Sequence, residues 1–454
     1  MDFIPNLCFQ DKMLKDMGIS SMEELFSDIP DDVKVNGVDL PPGKTEMEVE
    51  RIIKDITAKN TSLNEVNSFL GVGVYNHFVP AVVDYLSSRS EFLTTYTPYQ
   101  GEISQGMLQC LFEYQSYIAE LTGQDMSNSS LYDAATAIGE AAIMCKAVTR
   151  KREFIVASPL PMSKMSVLEN YTRYQNIEIK TVDYDPKTGG LDLESLESSI
   201  TGETSGIYVE NPNFFGVMEK DIARIPEMLG EGRKRPLFVE GFNLLTSPFM
   251  KNPGETGADV AIGEVQFGNP PSFGGPGAGY IACNKKFVRK MPGRLIGYTK
   301  DRDGEDSYVM TLQTREQHIR RERATSNICS NQALCAVRCA MTLACLGPKG
   351  LYEMSLANLT NAHRLREELS KIHGISAPRF KSDFFNEFVV TIDPHIFDPA
   401  KLYDDLLKMG NIFGYLLGTD FPELENSFLL CATEMNSNGS IDKLIADLKS
   451  MEVV

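Results

Sequence analysis

The sequence predicts an α/β protein with a mostly parallel sheet, extended at its C-terminus by a small α+β domain. Three observations carry this. Between residues 153 and 264, short apolar strands alternate with helices across short connections, the pattern of a parallel sheet covered on both faces. Residues 235–279 (RPLFVEGFNLLTSPFMKNPGETGADVAIGEVQFGNPPSFGGPGAG) hold two buried strands, 237–240 and 259–264, then the rigid turn Gly274-Gly275-Pro276-Gly277. From residue 351 the order changes to helix, strand, helix, strand, helix, which is α+β. The expected division is a helical arm over 1–65 and a large α/β domain over 66–325. A long connecting helix with the small domain follows over 326–454.

The arm reads as short helices at 11–18 and 21–26, a turn at Leu40-Pro41-Pro42-Gly43, and an amphipathic helix over 46–56. That helix places Met47, Val49, Ile52, Ile53 and Ile56 on one side. Such an arm cannot bury Phe3, Ile4, Leu7, Leu14 and Phe26 by itself, so a neighbour or the large domain must cover them.

Next comes a helix with Val79, Val82, Val83 and Leu86 on its apolar face. Another follows, with Ser104 as N-cap, Leu108, Leu111, Phe112, Gln115 and Ile118 on one face, and Gly123 as its stop. Between them stands Tyr96-Thr97-Pro98-Tyr99-Gln100-Gly101-Glu102, fixed by its proline and free to turn at Gly101. This stretch is either a functional loop or a tyrosine-rich surface turn. Small residues over 134–148 predict a closely packed helix, with Asp133 in or beside its first turn.

Strands are expected at 153–158, 177–183 and 206–210, helices at 161–176, 193–200 and 222–229, and an antiparallel strand at 278–284. Loops 211–215, 240–243 and 264–269 fall at the strands' C-terminal ends, where open α/β sheets bind ligands. Residues 291–334 are the most polar segment and carry Arg315, Arg320, Arg321 and Arg323. This cluster is either a solvated helix paired by Glu316 and Glu322 or a surface for an anionic partner. A dry helix over 327–345 stops at Gly347-Pro348. Helices at 351–371, 399–409 and 441–451 and strands at 387–392 and 427–433 complete the chain.

Composition sets bounds. A formal charge of −18 disfavours nucleic acid and anionic membranes, which select basic patches. No apolar run approaching a membrane span is expected, and the N-terminus lacks the basic and apolar regions of a signal peptide. Cytoplasm is therefore the expected compartment. The nine cysteines include no CxxC pair; Cys335 and Cys339, with Cys345 and Cys329 nearby, read as small buried hydrophobes. The five histidines show no ligand spacing, so no metal site is expected.

The stretch 235–279 resembles the aspartate-aminotransferase (fold-type-I) enzymes that use pyridoxal phosphate. In them an aspartate after the first strand pairs with the cofactor's ring nitrogen, and a lysine ahead of the glycine-rich turn anchors its aldehyde. Here Glu240 stands at the first place and Val265 and Gln266 at the second; no lysine lies between Lys251 and Lys285. In that fold the cofactor's phosphate docks at the start of the helix beginning near residue 134, where Asp133 would repel it. No cofactor-binding residue is therefore expected in this chain. An independent aminotransferase or desulfurase would need a lysine between about 255 and 275, as that anchor requires.

Longer motifs narrow the likeness: FIPNLCFQDKMLKDMGISSMEELFSDIP, YTPYQGEISQG, NPNFFGV, SFGGPGAGY, GRLIGYTKDRDG and LQTREQHIRRERATSNICSNQAL, with FFNEFVV and CATEMNS towards the end. Together they resemble the α-subunit (subunit 1) family of the glycine-cleavage P-protein, the decarboxylating glycine dehydrogenase, over essentially the whole chain. VEGFNLL and GEVQFGN depart from its usual pattern. The resemblance implies a heterotetramer with a homologous β subunit that carries the pyridoxal phosphate on its lysine. It also implies glycine decarboxylation and transfer of the aminomethyl group to the lipoyl arm of the H-protein. Tyr96, Tyr99 and Glu102 are the residues expected to reach the partner's site. A catalytically inert structural or regulatory subunit is the alternative.

Overall fold

The computed structural model describes residues 6–451 apart from Asn36, Arg233 and Cys329. Phe3, Ile4 and Cys329, named above, lie outside the described residues. Contacts divide the chain into two units, 1–61 and 62–454.

In the first unit, Gln10–Met17 and Glu46–Thr57 are α-helices and Met22–Phe26 is a 3-10 helix. A capping box opens the longer helix: Thr45 Oγ1 accepts the Glu48 amide, and the Glu48 carboxylate accepts the Thr45 amide. Met47, Val49, Ile52, Ile53 and Ile56 all remain exposed along it.

The second unit is built on a seven-stranded sheet. Its order is Met126–Ser127, Gly279–Cys283, Val260–Glu264, Leu237–Phe242, Thr204–Asn211, Glu153–Val156, Glu178–Thr181. Only Gly279–Cys283 runs against its neighbours, as the turn before it predicts. The inner strands are continuous apolar runs because helices cover both faces. Leu237–Phe242 continues two residues past the expected end, so Glu240 lies inside the strand and is fully buried.

Helix Ala134–Thr149 packs Ala137, Ile138, Ala141 and Cys145 on this sheet. Its small residues are required: a Cβ on Gly139 would stand 2.7 Å from the Tyr171 ring. Helix Gln105–Thr122 ends at Gly123, in the left-handed region at φ 64°. Ser104 holds the N-cap position, but its hydroxyl caps nothing. Gln105 does the local fastening, bonding Gly101 O and both backbone groups of Tyr308.

Two elements differ from expectation. The polar segment contains a β-hairpin, Leu295–Lys300 with Asp306–Thr311, pairing Tyr298 with Tyr308. Helix Ala333–Leu369 starts later than expected, at Ala333, and breaks at Gly347 (φ 59°). Among the described residues it is one helix long and apolar enough, by length and composition, to cross a membrane, contrary to the expectation of no such run. Its Cys335, Ala336, Val337, Cys339 and Ala340 pack into the core.

The C-terminal part forms an antiparallel four-stranded sheet, Ile375–Ser376, Glu387–Ile392, Ser427–Cys431 and Tyr415–Leu416. Helices Pro399–Lys408 and Asn438–Met451 cover it over Phe388, Val390, Phe428 and Leu430. Each of these large buried side chains contributes about 1.5–3 kcal/mol by leaving water.

Candidate functional site

A cavity of about 450 Å³ opens where the strands of the large sheet end. All three loops expected there contribute: Pro212, Asn213 and Phe214; Phe242 and Asn243; Glu264, Gln266 and Phe267. The first turn of helix Ala134–Thr149 forms one wall, and the Gly274–Gly277 turn forms another.

Two carboxylates occupy the helix start. Asp133 is the N-cap, and its Oδ1 accepts the Thr136 amide at 2.6 Å. Glu264, at the end of its strand, accepts the Ala134 amide at 2.6 Å and the Ala278 amide at 3.0 Å. Burial pushes the Glu264 carboxyl up to about 8, with Asp133 adding to the rise and the two amides opposing it. A helix N-terminus is an anion site only while its N–H groups are free. Here the Ala134 and Thr136 amides are already spent.

The anchoring positions are equally altered. Gln266 turns its side chain onto the chain itself, accepting the Tyr75 amide at 2.8 Å and donating to Gly73 O. Glu240 does not line the cavity. Its carboxylate accepts the Thr256 hydroxyl and, at 3.4 Å, the Asn211 amide, while burial pushes it up to about 7. Pyridoxal phosphate does not fit these residues: no amine stands at the anchor, and carboxylates stand where its phosphate would dock.

What lines the cavity instead is a set of ionisable groups that sequence reasoning missed. Lys164 pairs with Glu210 at 2.5 Å. Glu387, from the C-terminal sheet, accepts the Tyr75 hydroxyl at 2.6 Å and the Val72 amide at 2.7 Å. Burial pushes Glu387 up to about 7. His77 Nδ1 lies 3.0 Å from Glu434. Glu210 follows directly from the expected strand end. Lys164 and Glu387 arrive from distant elements, and no local pattern pointed to them.

Tyr96, Tyr99 and Glu102 stand outside this cavity. The Tyr99 hydroxyl is 3.5 Å from an Arg294 nitrogen, the guanidinium sits 5.5 Å from the ring centre, and His318 meets the ring edge-on at 6.0 Å. Tyr96 is 83 % exposed, with its hydroxyl 3.5 Å from Ser330 Oγ. Glu102 is exposed. The three share no common partner among the described residues.

The arginine cluster also separates. Arg315 turns inward to Met291 O and Gly293 O, and Arg320 bonds Thr314 O at 3.0 Å. Arg323 meets Glu322 at 3.5 Å. The segment folds as 3-10 turns around the four-residue helix Gln317–Arg320, not as one solvated helix. Arg321 sits at φ 52°, outside helical conformation.

Comparison with known proteins places this geometry. A protein of Thermococcus onnurineus named "Probable glycine dehydrogenase (decarboxylating) subunit 1" is 46% identical over 99% of both chains. A like-named protein of Desulfitobacterium hafniense is 42% identical, again over 99% of both. The crystal structure of a glycine decarboxylase (P-protein) of the glycine cleavage system, in inhibitor-bound form, superposes with a TM-score of 0.90. It is 36% identical, over 99% of this chain and 100% of that one. Glutamate decarboxylase of Lactobacillus brevis, 13% identical, shares the fold at a TM-score of 0.70 over 92% of this chain and 95% of that one. The fold is thus that of the fold-type-I pyridoxal-phosphate enzymes. The family description "Glycine cleavage system P-protein" matches residues 4–447, and the chain belongs to that family.

Proposed function

We propose that this chain is subunit 1 of a decarboxylating glycine dehydrogenase and works with a homologous second subunit that holds the pyridoxal phosphate. One observation carries the reading: full-length likeness to subunit-1 proteins coincides with a cavity whose helix start is filled by Asp133 and Glu264. Pyridoxal phosphate held by the partner would supply the electron sink that lets glycine lose carbon dioxide. The aminomethyl group then passes to the lipoyl arm of the H-protein.

This chain contributes shape and a few groups at the shared face. Tyr96, Tyr99 and Glu102 are proposed to line the partner's site. The Tyr99 ring, held by Arg294 and His318, keeps that loop in one arrangement. The exposed apolar side of Glu46–Thr57 supports an extensive interface with the partner, above about 2,000 Å² in a heterotetramer.

The test is co-expression with the homologous lysine-bearing subunit, followed by exchange of labelled carbon dioxide into glycine with lipoylated H-protein present. Exchange should require both subunits. Full exchange by the lysine-bearing subunit alone overturns the reading.

A further inference from the structure

The glycine-rich turn that walls the cavity carries a side chain with no use inside its own chain. Ser272 and Phe273 have φ of 41° and 57°, and Gly274 continues in the same region at 98°. Left-handed backbone is ordinary for glycine and strained for a bulky residue such as phenylalanine. The turn's backbone bonds do not involve the ring: the Gly274 amide donates to Pro271 O at 2.7 Å and the Gly275 amide to Ser272 O at 3.3 Å. A glycine at 273 would give the same turn without strain. The Phe273 ring is nevertheless 99 % exposed, so it packs on almost nothing of its own chain. A single exposed apolar side chain is ordinary. One held out by strained backbone is not.

The surroundings of the ring decide what can receive it. From Val265 to Asn284 there is no charged residue, on a chain of formal charge −18. Pro270, Pro271 and Pro276 restrict the backbone on both sides, so little freedom is left to lose on contact. An uncharged, rigidly presented aromatic has the character of an interface centre, where charged residues are depleted and aromatic anchors dominate. The turn also adjoins the tyrosine loop. Cys335 Sγ lies 3.9 Å from Pro276 O, and five residues earlier (335 − 330) Ser330 Oγ lies 3.5 Å from the Tyr96 hydroxyl. Turn and loop thus share one support, residues 330–335.

We infer that Phe273 is an interface anchor that inserts its ring into an apolar pocket of the homologous second subunit. This rests on the proposed function and extends the shared face from the tyrosine loop to the glycine-rich turn.

Sedimentation of the full chain co-expressed with the lysine-bearing subunit, over a dilution series, tests it. Phe273→Ala and Phe273→Gly should each weaken association by about tenfold or more. Phe273→Leu, which keeps an apolar side chain, should recover part of that loss. In the isolated chain, Phe273→Ala should leave Tm unchanged, and Phe273→Gly should leave it unchanged or raise it by relieving the strain. Tyr174, 88 % exposed just past helix Met162–Thr172, supplies the control, and Tyr174→Ala should not change association. Association as tight in the folded Phe273 variants as in the parent overturns the inference. So does equal weakening by Tyr174→Ala, self-association of the isolated chain that Phe273→Ala abolishes, or a clear fall in Tm for Phe273→Ala. If the parent chain and the second subunit do not associate at all, the proposed function fails and this inference fails with it.

Discussion

Glu264 Oε2 lies 2.6 Å from the amide nitrogen of Ala134 and closes the start of the helix against which a cofactor phosphate would rest. The other oxygen ties the same carboxylate to Ala278, on the far side of the glycine-rich turn. One side chain therefore joins the helix, the strand end and the turn. Glu264→Gln keeps the shape but sets an NH2 group against one of two N–H donors. Stability to urea should fall by about 1–3 kcal/mol, the cost of an unmet buried donor. An unchanged midpoint would mean that the bridge is not structural.

Four buried glutamates and the half-buried Glu264 make stability depend on pH. Glu140, Glu219, Glu240 and Glu387 are pushed up to about 7 and Glu264 to about 8, each chiefly by burial. Their folded values lie above the ordinary 4.5, so the favourable protonated state is complete below that point. Its stabilisation is lost as pH rises towards 8. Glu240→Gln removes one such group and can keep hydrogen bonds to Thr256 and Asn211. Relative to the parent chain, that variant should gain stability between pH 5 and 8, by at least about 2 °C in Tm. A Tm difference that stays constant across that range would count against Glu240 ionising while buried.

The alternation of strands and helices was legible because a parallel sheet needs continuous apolar strands, and those of 204–211 and 237–242 are nearly fully buried. So was the missing anchor, since the absence of a lysine is a fact of the sequence. The hairpin around Gly304 (φ 88°) was hidden by charge: Asp301, Arg302, Asp303 and Glu305 form its tip, and the pairing of Tyr298 with Tyr308 lies beneath them. Asp133 as N-cap could be read locally. The contribution of Glu387 could not, because it reaches the cavity from a strand 123 residues after Glu264 (387 − 264). The expected strand 237–240 ends at Glu240. In the sheet Gly241 is an interior residue, and a Cβ there would meet the Tyr208 hydroxyl at 2.4 Å.

The chain should form no covalent adduct with pyridoxal phosphate. Gln266 occupies the anchor region with both ends of its amide engaged. After incubation with the cofactor and reduction with borohydride, peptide mapping should find no pyridoxyl-lysine at a stoichiometric level. Lys164, the cavity's amine, is held by Glu210 in an ion pair. A stoichiometric pyridoxyl group on Lys164 would refute this.

Gly216 joins the cavity loop to the C-terminal sheet. It sits at φ 79°, and a Cβ would lie 2.0 Å from Glu387 O. Gly216→Ala therefore combines a left-handed backbone with a clash against strand Glu387–Ile392. The expected loss is about 3 kcal/mol or more, seen as a lower urea midpoint. Gly43→Ala, where no atom lies within 4 Å of the new Cβ, serves as the control and should change little.

Tyr99 is fixed from two sides, by the Arg294 guanidinium 5.5 Å from its ring centre and by His318 at 6.0 Å. Tyr96 is 83 % exposed, and Glu102 also faces solvent. A loop held at one tyrosine and open at its other polar groups is prepared to meet a second surface. On the proposed function that surface is the partner's site, where a phenol orients cofactor or substrate and the Glu102 carboxylate holds the loop or the glycine amine. Tyr99→Phe keeps the ring and its packing and removes only the hydroxyl. Glu102→Gln keeps the shape and removes the charge. Each should lower glycine decarboxylation by about tenfold or more, which corresponds to ~1.4 kcal/mol. Assembly should survive, because neither change removes apolar contact area; sedimentation of the co-expressed pair checks this. Loss of assembly together with activity would mean that the loop only holds the subunits together. Intact complexes with full carbon dioxide exchange in both variants would make the loop, and this chain's part in catalysis through it, purely structural.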